Sequence, residues 1–138
     1  MKQLSLIEKA FFLKKITLFQ ELDLDLLVAI ADKINQDIYD KKEKVYEINH
    51  RPKRMYLIAQ GAVELKDDQG TTQVLLSTKD FFGDESLFSN TPRSYIAVCK
   101  TDTLLLTLSK NNLITIISEC PTVAISLLQR YAKKLNKR

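Results

Sequence analysis

The residues with the clearest chemical potential lie in one short stretch, residues 80–94, which reads Asp-Phe-Phe-Gly-Asp-Glu-Ser-Leu-Phe-Ser-Asn-Thr-Pro-Arg-Ser. Gly83 allows the backbone to approach a ligand closely, and the amides that follow it can form an anion-binding nest. Arg93 offers a planar fork of donors that matches phosphate oxygens, and Pro92 restrains the backbone before it. The combination predicts a small pocket for a ligand with a hydroxyl pair and a phosphate. The alternative is a surface loop with an exposed arginine.

The composition is that of a single globular domain. The chain has 138 residues, of which 45% are apolar and 28% are charged. This length is enough for one domain with a real core and too short for two. The formal net charge is +4, but acidic residues are mixed in throughout, so direct nucleic-acid binding is not expected. The basic segment 130–138 is interpreted as a solvated helix end, where cations favour the negative pole of the macrodipole.

Cysteine and histidine usage points away from catalysis and metal binding. Cys99 and Cys120 are predicted to be buried or half-buried thiols in a reducing compartment, and neither has a partner at metal-ligand spacing. His50 lies alone in a predicted loop, and no nucleophile–base pair accompanies Asp84 and Glu85. We therefore expect a protein that is not an enzyme and binds no metal. We expect it in the cytoplasm, or at the cytoplasmic face of a membrane protein of which it forms part.

Helical periodicity appears at both ends of the chain. Residues 1–35 carry two amphipathic patterns, and Asp23 is a candidate N-cap for the second. Residues 109–138 carry two more patterns, with Ser109 as a candidate cap for the first and Pro121 suited to the first turn of the second. The predicted order is therefore helices, strands and helices.

The pattern changes to short runs of β-forming residues over residues 36–108. These runs are 38–39, 45–46, 55–59, 62–65, 73–76, 95–99 and 103–108. Turn signals separate them, including Gly61 and a hairpin tip at Gly70. About eight short strands at regular spacing favour an antiparallel barrel or jelly roll. The predicted fold class is α+β, mainly β: an antiparallel eight-stranded β jelly-roll barrel between terminal helices, in one domain of residues 1–138.

The central stretch resembles the phosphate-binding cassette of the cyclic nucleotide-binding domain family, usually Phe-Gly-Glu, any residue, a small residue, Leu, a short loop and Pro-Arg. Here residues 82–87, the loop 88–91 and Pro92-Arg93 match this cassette without a gap. The family includes the regulatory subunit of the cAMP-dependent kinase, the catabolite activator protein and cyclic nucleotide-gated channels. Further landmarks agree in spacing: residues 39–56, Gly61 and residues 76–80. The resemblance extends from residue 18 to about residue 135 and implies the fold of that family.

The resemblance also implies roles for individual residues. Arg93 would pair with an equatorial phosphate oxygen, and backbone amides near Glu85 and Ser86 would hold the same phosphate. Asp84 would accept the ribose 2′-hydroxyl in place of the family's glutamate, and Ser94 could contact the base edge. The remaining predicted ligand-binding residues are Phe82, Gly83, Leu87, Pro92 and Tyr95.

The last helix resembles the lid of the family. The side chains available to cover a base are those of Leu127, Tyr131 and Leu135. The implied ligand is cAMP or cGMP, and the sequence does not distinguish them. The sequence implies no cofactor and does not identify an effector, but the amphipathic last helix suggests a homodimer.

The chain departs from the family pattern at several positions. Asp84 is one methylene shorter than the usual glutamate, and Tyr95 stands where a small residue is usual. Lys42, Asn49 and Lys79 replace glycines at turns, where they would occupy the left-handed region, which lysine tolerates at some cost.

Three functions remain as alternatives. The first is a small-molecule sensor whose C-terminal helices shift when a cyclic nucleotide binds. The second is a degenerate domain that keeps the fold for protein contacts without a ligand, with Phe11, Phe12 and the last helix as its working surface. The third, a transcription regulator, needs a helix-turn-helix after the last helix, and the sequence ends at Arg138.

Overall fold

The computed structural model describes residues 1–136, so the last two residues of the predicted segment 109–138 lie outside the described residues. The elements in chain order are α1 Leu6–Leu13, α2 Leu24–Asp32, β1 Asn35–Tyr39, β2 Lys44–Tyr46, β3 Arg54–Gln60, β4 Ala62–Lys66, β5 Thr72–Ser77, β6 Phe81–Phe82, α3 Asp84–Ser89, β7 Ile96–Cys99, β8 Thr103–Ser109, α4 Lys110–Glu119 and α5 Pro121–Asn136. The chain divides into two compact units. One unit holds residues 1–4 and 34–110, and the other holds residues 5–33 and the chain from residue 111.

The first unit contains all eight strands in two antiparallel four-stranded sheets. Their orders are β1-β8-β3-β6 and β2-β7-β4-β5. Strands from opposite ends of the unit pair with each other, as in a double-sheet jelly roll. The prediction of an α+β chain with eight antiparallel strands is confirmed. No closed barrel is found among the described residues, so two sheets replace the single barrel of the prediction.

The apolar run at residues 103–108 forms most of the central strand β8. β8 lies between β1 and β3, and residues 103–108 are all buried. A strand paired on both edges and covered on both faces reads as a continuous apolar run rather than an alternating one. Beside it, a cluster of buried side chains includes Tyr46, Tyr56, Phe82 and Cys99. Burial raises the pKa of the Cys99 thiol.

The stretch 80–94 contains a strand and a helix, so the alternative of a surface loop does not hold for it. Phe81 and Phe82 form β6, and the short helix α3 follows directly. Gly83 precedes the helix with a φ of +83°, and Asn90 ends it with a φ of +55° and an amide that donates to the Ser86 carbonyl. The carboxylates of Asp84 and Glu85 lie in the first turn, where they interact favourably with the positive end of the helix dipole. The helix therefore begins after Gly83 and ends before Asn90, and both of these residues have left-handed backbone conformations.

Three turns have the left-handed backbone that the family resemblance predicts. Lys42, Asn49 and Lys79 have φ values of 73°, 71° and 82°. At Gly61, with a φ of 106°, an added Cβ would lie 2.5 Å from the Thr103 Oγ1 atom. The substituted positions thus keep the backbone geometry of a glycine turn, at a cost in strain.

The second unit is helical, and its caps follow from the sequence. Ser5 and Glu8 form a capping box at the start of α1. The Asp23 side chain accepts from the Leu26 amide at 3.2 Å, which confirms it as the N-cap of α2. Pro121 is the first residue of α5, as predicted. Within residues 1–136 no single helix is long and apolar enough to cross a membrane, although α4 and α5, bent by 110° at their junction, pass that test together.

Candidate functional site

The site is built around Gly83, where β6 turns into α3. A Cβ atom at this position would lie 3.0 Å from Nη1 of Arg93 and 3.3 Å from Cδ2 of Tyr56. The positive φ and the crowding both favour a residue without a side chain. The glycine therefore lets the guanidinium approach the backbone at the start of the helix.

Arg93 is fixed through both its side chain and its backbone. The guanidinium donates from Nη1 to the Gly83 carbonyl and from Nη2 to the Arg54 carbonyl, each at 2.6 Å. The Arg93 amide donates to the His50 carbonyl at 2.9 Å, and the Arg93 carbonyl accepts from the Asn49 amide at 2.8 Å. Only 3% of the residue is exposed, so the alternative with an exposed arginine does not hold.

The electrostatic setting of this cation keeps its charge available. Both side-chain acceptors are neutral carbonyl oxygens, which satisfy donors without cancelling the charge. The Cζ atom lies 4.3 Å from the centroid of the Tyr46 ring, a cation–π contact. Burial raises the pKa of the Tyr46 hydroxyl, and the neighbouring Arg93 partly offsets this. The tyrosine is therefore a neutral donor at physiological pH.

The predicted site residues separate into buried and exposed groups. The buried ones are Phe82, Gly83, Asp84, Ser86, Leu87 and Arg93. Glu85, Pro92 and Ser94 are exposed, and Tyr95 is half-buried. The first turn of α3 thus places the Asp84 carboxylate, 1% exposed, and the Ser86 hydroxyl on its inner face, while Glu85 points outward.

Sequence reasoning included Phe82 and Tyr95 in the site but missed Tyr46 and Tyr56. The rings of Tyr56 and Phe82 stack with centroids 5.1 Å apart, and the Tyr46 ring lies 5.9 Å and 6.1 Å from them. Tyr95 packs against the same cluster. The register of β3 against β6 sets Tyr56 opposite Phe82. The strand pattern located these tyrosines, but only the pairing places them beside Arg93.

A cleft of about 570 Å³ opens on one side of Arg93, within the first unit. Its basic residues are Arg51, Lys53, Arg54 and Arg93, and its aromatic residues are Tyr39, Tyr46 and Tyr56. Of the predicted site residues, only Arg93 lines it. We call it the arginine–tyrosine cleft. The sequence signal that could have found it is the basic run from His50 to Arg54.

The three predicted lid side chains lie on α5, in the second unit. Leu127 is buried there, Tyr131 is half-buried and Leu135 is 56% exposed. Their role over a ligand stays a prediction.

Comparison with known proteins decides the family, because the family profile described as cyclic nucleotide-binding domain matches residues 36–120. The chain belongs to this family. It is 28% identical to a cyclic nucleotide-gated cation channel of Ictalurus punctatus over 134 residues, which is 91% of this chain and 20% of the channel. It is 25% identical to a cAMP-dependent protein kinase regulatory subunit of Debaryomyces hansenii over 100 residues, which is 72% of this chain and 22% of that subunit.

A solved structure agrees with this assignment. The catabolite activator protein of Thermus thermophilus superposes with a TM-score of 0.80 at 26% identity, covering 88% of this chain and 59% of that one. The chain spans only about a fifth of the length of the two curated relatives, at 20% and 22%. The predicted membership of the cyclic nucleotide-binding domain family is thereby confirmed.

Proposed function

We propose that this domain is a sensor that binds a cyclic nucleotide, cAMP or cGMP, through residues 82–95. The observation that carries the proposal is the buried Arg93 guanidinium, fixed by two carbonyl oxygens beside the N-terminus of α3. Burying a charged group is costly unless it gains partners. A guanidinium held in place with its charge uncancelled is pre-organised to receive a phosphate.

The other groups of the cassette suit the remainder of the ligand. The positive pole at the start of α3 favours an anion, so the amides of Glu85 and Ser86 would assist Arg93 in holding the phosphate. The buried Asp84 carboxylate would accept the ribose 2′-hydroxyl, directly or through a water. The exposed Ser94 would be free to meet the base edge.

The test is calorimetric titration of the protein with cAMP and with cGMP. We expect saturable binding of at least one of them, weakened by at least about 1.5–3 kcal/mol in Arg93→Gln, the scale of a charge-assisted contact. Arg93→Lys keeps the charge but loses the fork, so it should recover only part of the affinity. Lys100→Gln is the control for charge at an exposed position outside the cassette. A folded wild-type protein that gives no heat with either nucleotide would refute the proposal.

We further propose that occupancy is transmitted to α5, with Leu127, Tyr131 and Leu135 as the responding side chains. Deuterium exchange along residues 121–136, compared with and without cyclic nucleotide, measures this response. Unchanged exchange in α5 at saturating ligand would restrict the function to binding alone.

The second candidate function is a ligand-free interaction module, and the aromatic cluster favours it. Tyr95 packs against the cluster of Tyr46, Tyr56 and Phe82, where it could take the place of a base. Phe11 is 57% exposed on α1, although Phe12 is buried. If Tyr95→Ala creates cyclic nucleotide binding that the wild-type protein lacks, this second function holds instead of the first.

α5 also offers a surface for self-association. Ile125, Leu128 and Leu135 are 53%, 65% and 56% exposed on it, and their spacing of three and seven residues places them along one face. We expect light scattering to detect a dimer that Leu128→Glu dissociates. Gln129→Glu adds the same charge at an exposed neighbour and should leave the mass unchanged. A monomeric wild-type protein would rule out the dimer.

A further inference from the structure

The arginine–tyrosine cleft gathers more positive charge than a single cyclic phosphate needs. Arg51, Lys53 and Arg54 line it together with Arg93, and no carboxylate is among the residues of the described chain that line it. Arg51, Lys53 and Arg54 are exposed, whereas Arg93 forms the buried end. Like charges held in one concavity repel each other and raise the local concentration of anions. The cleft is therefore electrostatically suited to a ligand with several negative charges.

Hydroxyl groups reinforce this charge pattern. Tyr39, Tyr46 and Tyr56 line the cleft, and none of their hydroxyls has a hydrogen-bond partner within residues 1–136. None of these oxygens is a buried polar atom that lacks a partner, so the hydroxyls are accessible from the cleft and can donate to a ligand there. Burial raises the pKa of Tyr39 to about 12 and also raises the pKa values of Tyr46 and Tyr56, so all three remain O–H donors.

Several carboxylates lie near the cleft without lining it. Burial is the main cause of the raised pKa values of the three tyrosines, and nearby carboxylates add to it: Asp37 and Glu43 at Tyr39, Glu85 and Asp84 at Tyr46, and Asp37 at Tyr56. Glu47 lies 3.0 Å from the Lys44 ammonium and 4.0 Å from the His50 imidazole, so its charge is shared with those cations. Among the described residues that line the cleft there are four arginine and lysine side chains and none of these carboxylates.

We propose that the arginine–tyrosine cleft is a second anion site, which binds a small molecule of the pyrophosphate class, such as a nucleoside diphosphate. Its volume of about 570 Å³ is within the size range of small-molecule sites. One phosphate group would meet Arg93 and the tyrosine hydroxyls at the buried end. The other would meet Arg51 and Lys53 at the open end. The cleft shares the buried Arg93 with the cassette, so pyrophosphate and a cyclic nucleotide would compete for that guanidinium, whereas Arg51 and Lys53 belong to the cleft alone.

The experiment titrates the folded protein with inorganic pyrophosphate at low ionic strength, where screening is weak. We expect saturable binding of one pyrophosphate per chain. The double variant Arg51→Gln/Lys53→Gln should weaken it at least tenfold and leave cyclic nucleotide binding unchanged. Tyr46→Phe, which keeps the ring and removes the hydroxyl, should weaken it several-fold. Asp84→Ala, directed at the predicted ribose contact, removes a negative charge that acts on Tyr46 and should not weaken pyrophosphate binding.

The matched control is Lys41→Gln/Lys100→Gln, which removes the same charge from exposed positions outside the cleft. An equal loss of pyrophosphate binding in this control would overturn the site in favour of non-specific attraction. Absence of saturable binding to the wild-type protein would also overturn it. Equal affinity for inorganic phosphate would overturn the assignment to a two-phosphate ligand. If the cyclic nucleotide proposal alone fails, the protein will give no heat with cAMP or cGMP but will still bind pyrophosphate.

Discussion

The turns that retain glycine differ from those that have lost it, although all of them have left-handed backbone. At Gly61 and Gly83 an added Cβ would meet neighbouring atoms at 2.5 Å and 3.0 Å. At Lys42 and Lys79 the chain carries a side chain and accepts only the strain of a positive φ. The difference teaches that crowding, and not φ alone, accounts for the glycines at positions 61 and 83, whereas Gly70 has nothing within 4 Å of an added Cβ. At Gly83 the neighbour is the guanidinium of the candidate site.

The largest effect is expected at Gly61. In Gly61→Ala the new methyl would collide with the Thr103 side chain and with the Asp102 carbonyl at 2.6 Å. Strain and overpacking together should lower the free energy of unfolding by about 2–4 kcal/mol. Urea denaturation measures this change. A loss below about 1 kcal/mol would mean that the turn relaxes and that crowding does not explain the glycine.

Gly83→Ala should follow, with a loss of about 1.5–3 kcal/mol from strain and from displacement of the Arg93 guanidinium. Gly70→Ala is a matched control, because Gly70 has a φ of 79° and nothing within 4 Å of its added Cβ. The control should lose only about 1–2 kcal/mol. Equal losses in the two variants would show that contact with Arg93 adds nothing to the conformational strain.

The same substitution should also affect the ligand. Because Gly83→Ala moves the guanidinium, we expect at least a tenfold loss of cyclic nucleotide affinity, or about 1.4 kcal/mol. Gly70→Ala should keep the wild-type affinity. Titration at a temperature where both variants are folded separates this effect from the loss of stability. Unchanged affinity in Gly83→Ala would contradict the placement of Arg93 at the phosphate.

The smallest expected effect is a gain in stability, in Lys79→Gly. Lys79→Gly removes the strain of a positive φ but adds chain entropy, so the unfolding free energy should rise by up to about 1 kcal/mol. Lys100→Gly, at an exposed position without a positive φ, should instead lose up to about 1 kcal/mol. Thermal melts of the two variants should therefore shift in opposite directions. Shifts of the same sign would contradict the strain at Lys79.

The sequence predicted those features of the fold that depend on local pattern. Strands β1 to β5, β7 and β8 and the Asp23 cap follow from neighbouring residues, whereas the left-handed turns at Lys42 and Lys79 were expected from the family resemblance. The sequence also located the cassette by its spacing. It did not show β6, because a strand of two residues has no periodicity and exists through its pairing with β3.

The candidate site depends on longer-range contacts that no local pattern encodes. The Arg54 carbonyl that holds the Arg93 guanidinium lies 39 residues earlier in the chain. Tyr46 reaches the same cation because β2 pairs with β7, the strand that follows Arg93 in the chain. Residue types could therefore suggest that Arg93 binds an anion, but the groups that orient it required the folded chain.

The two backbone hydrogen bonds between residue 93 and residues 49 and 50 link the end of the cassette to the loop after β2. Any force that a bound molecule exerts on the arginine main chain is consequently shared with that loop. An isotope label on the Asn49 nitrogen would thus report events at the guanidinium from outside the cassette, through a reporter that leaves every cassette side chain intact.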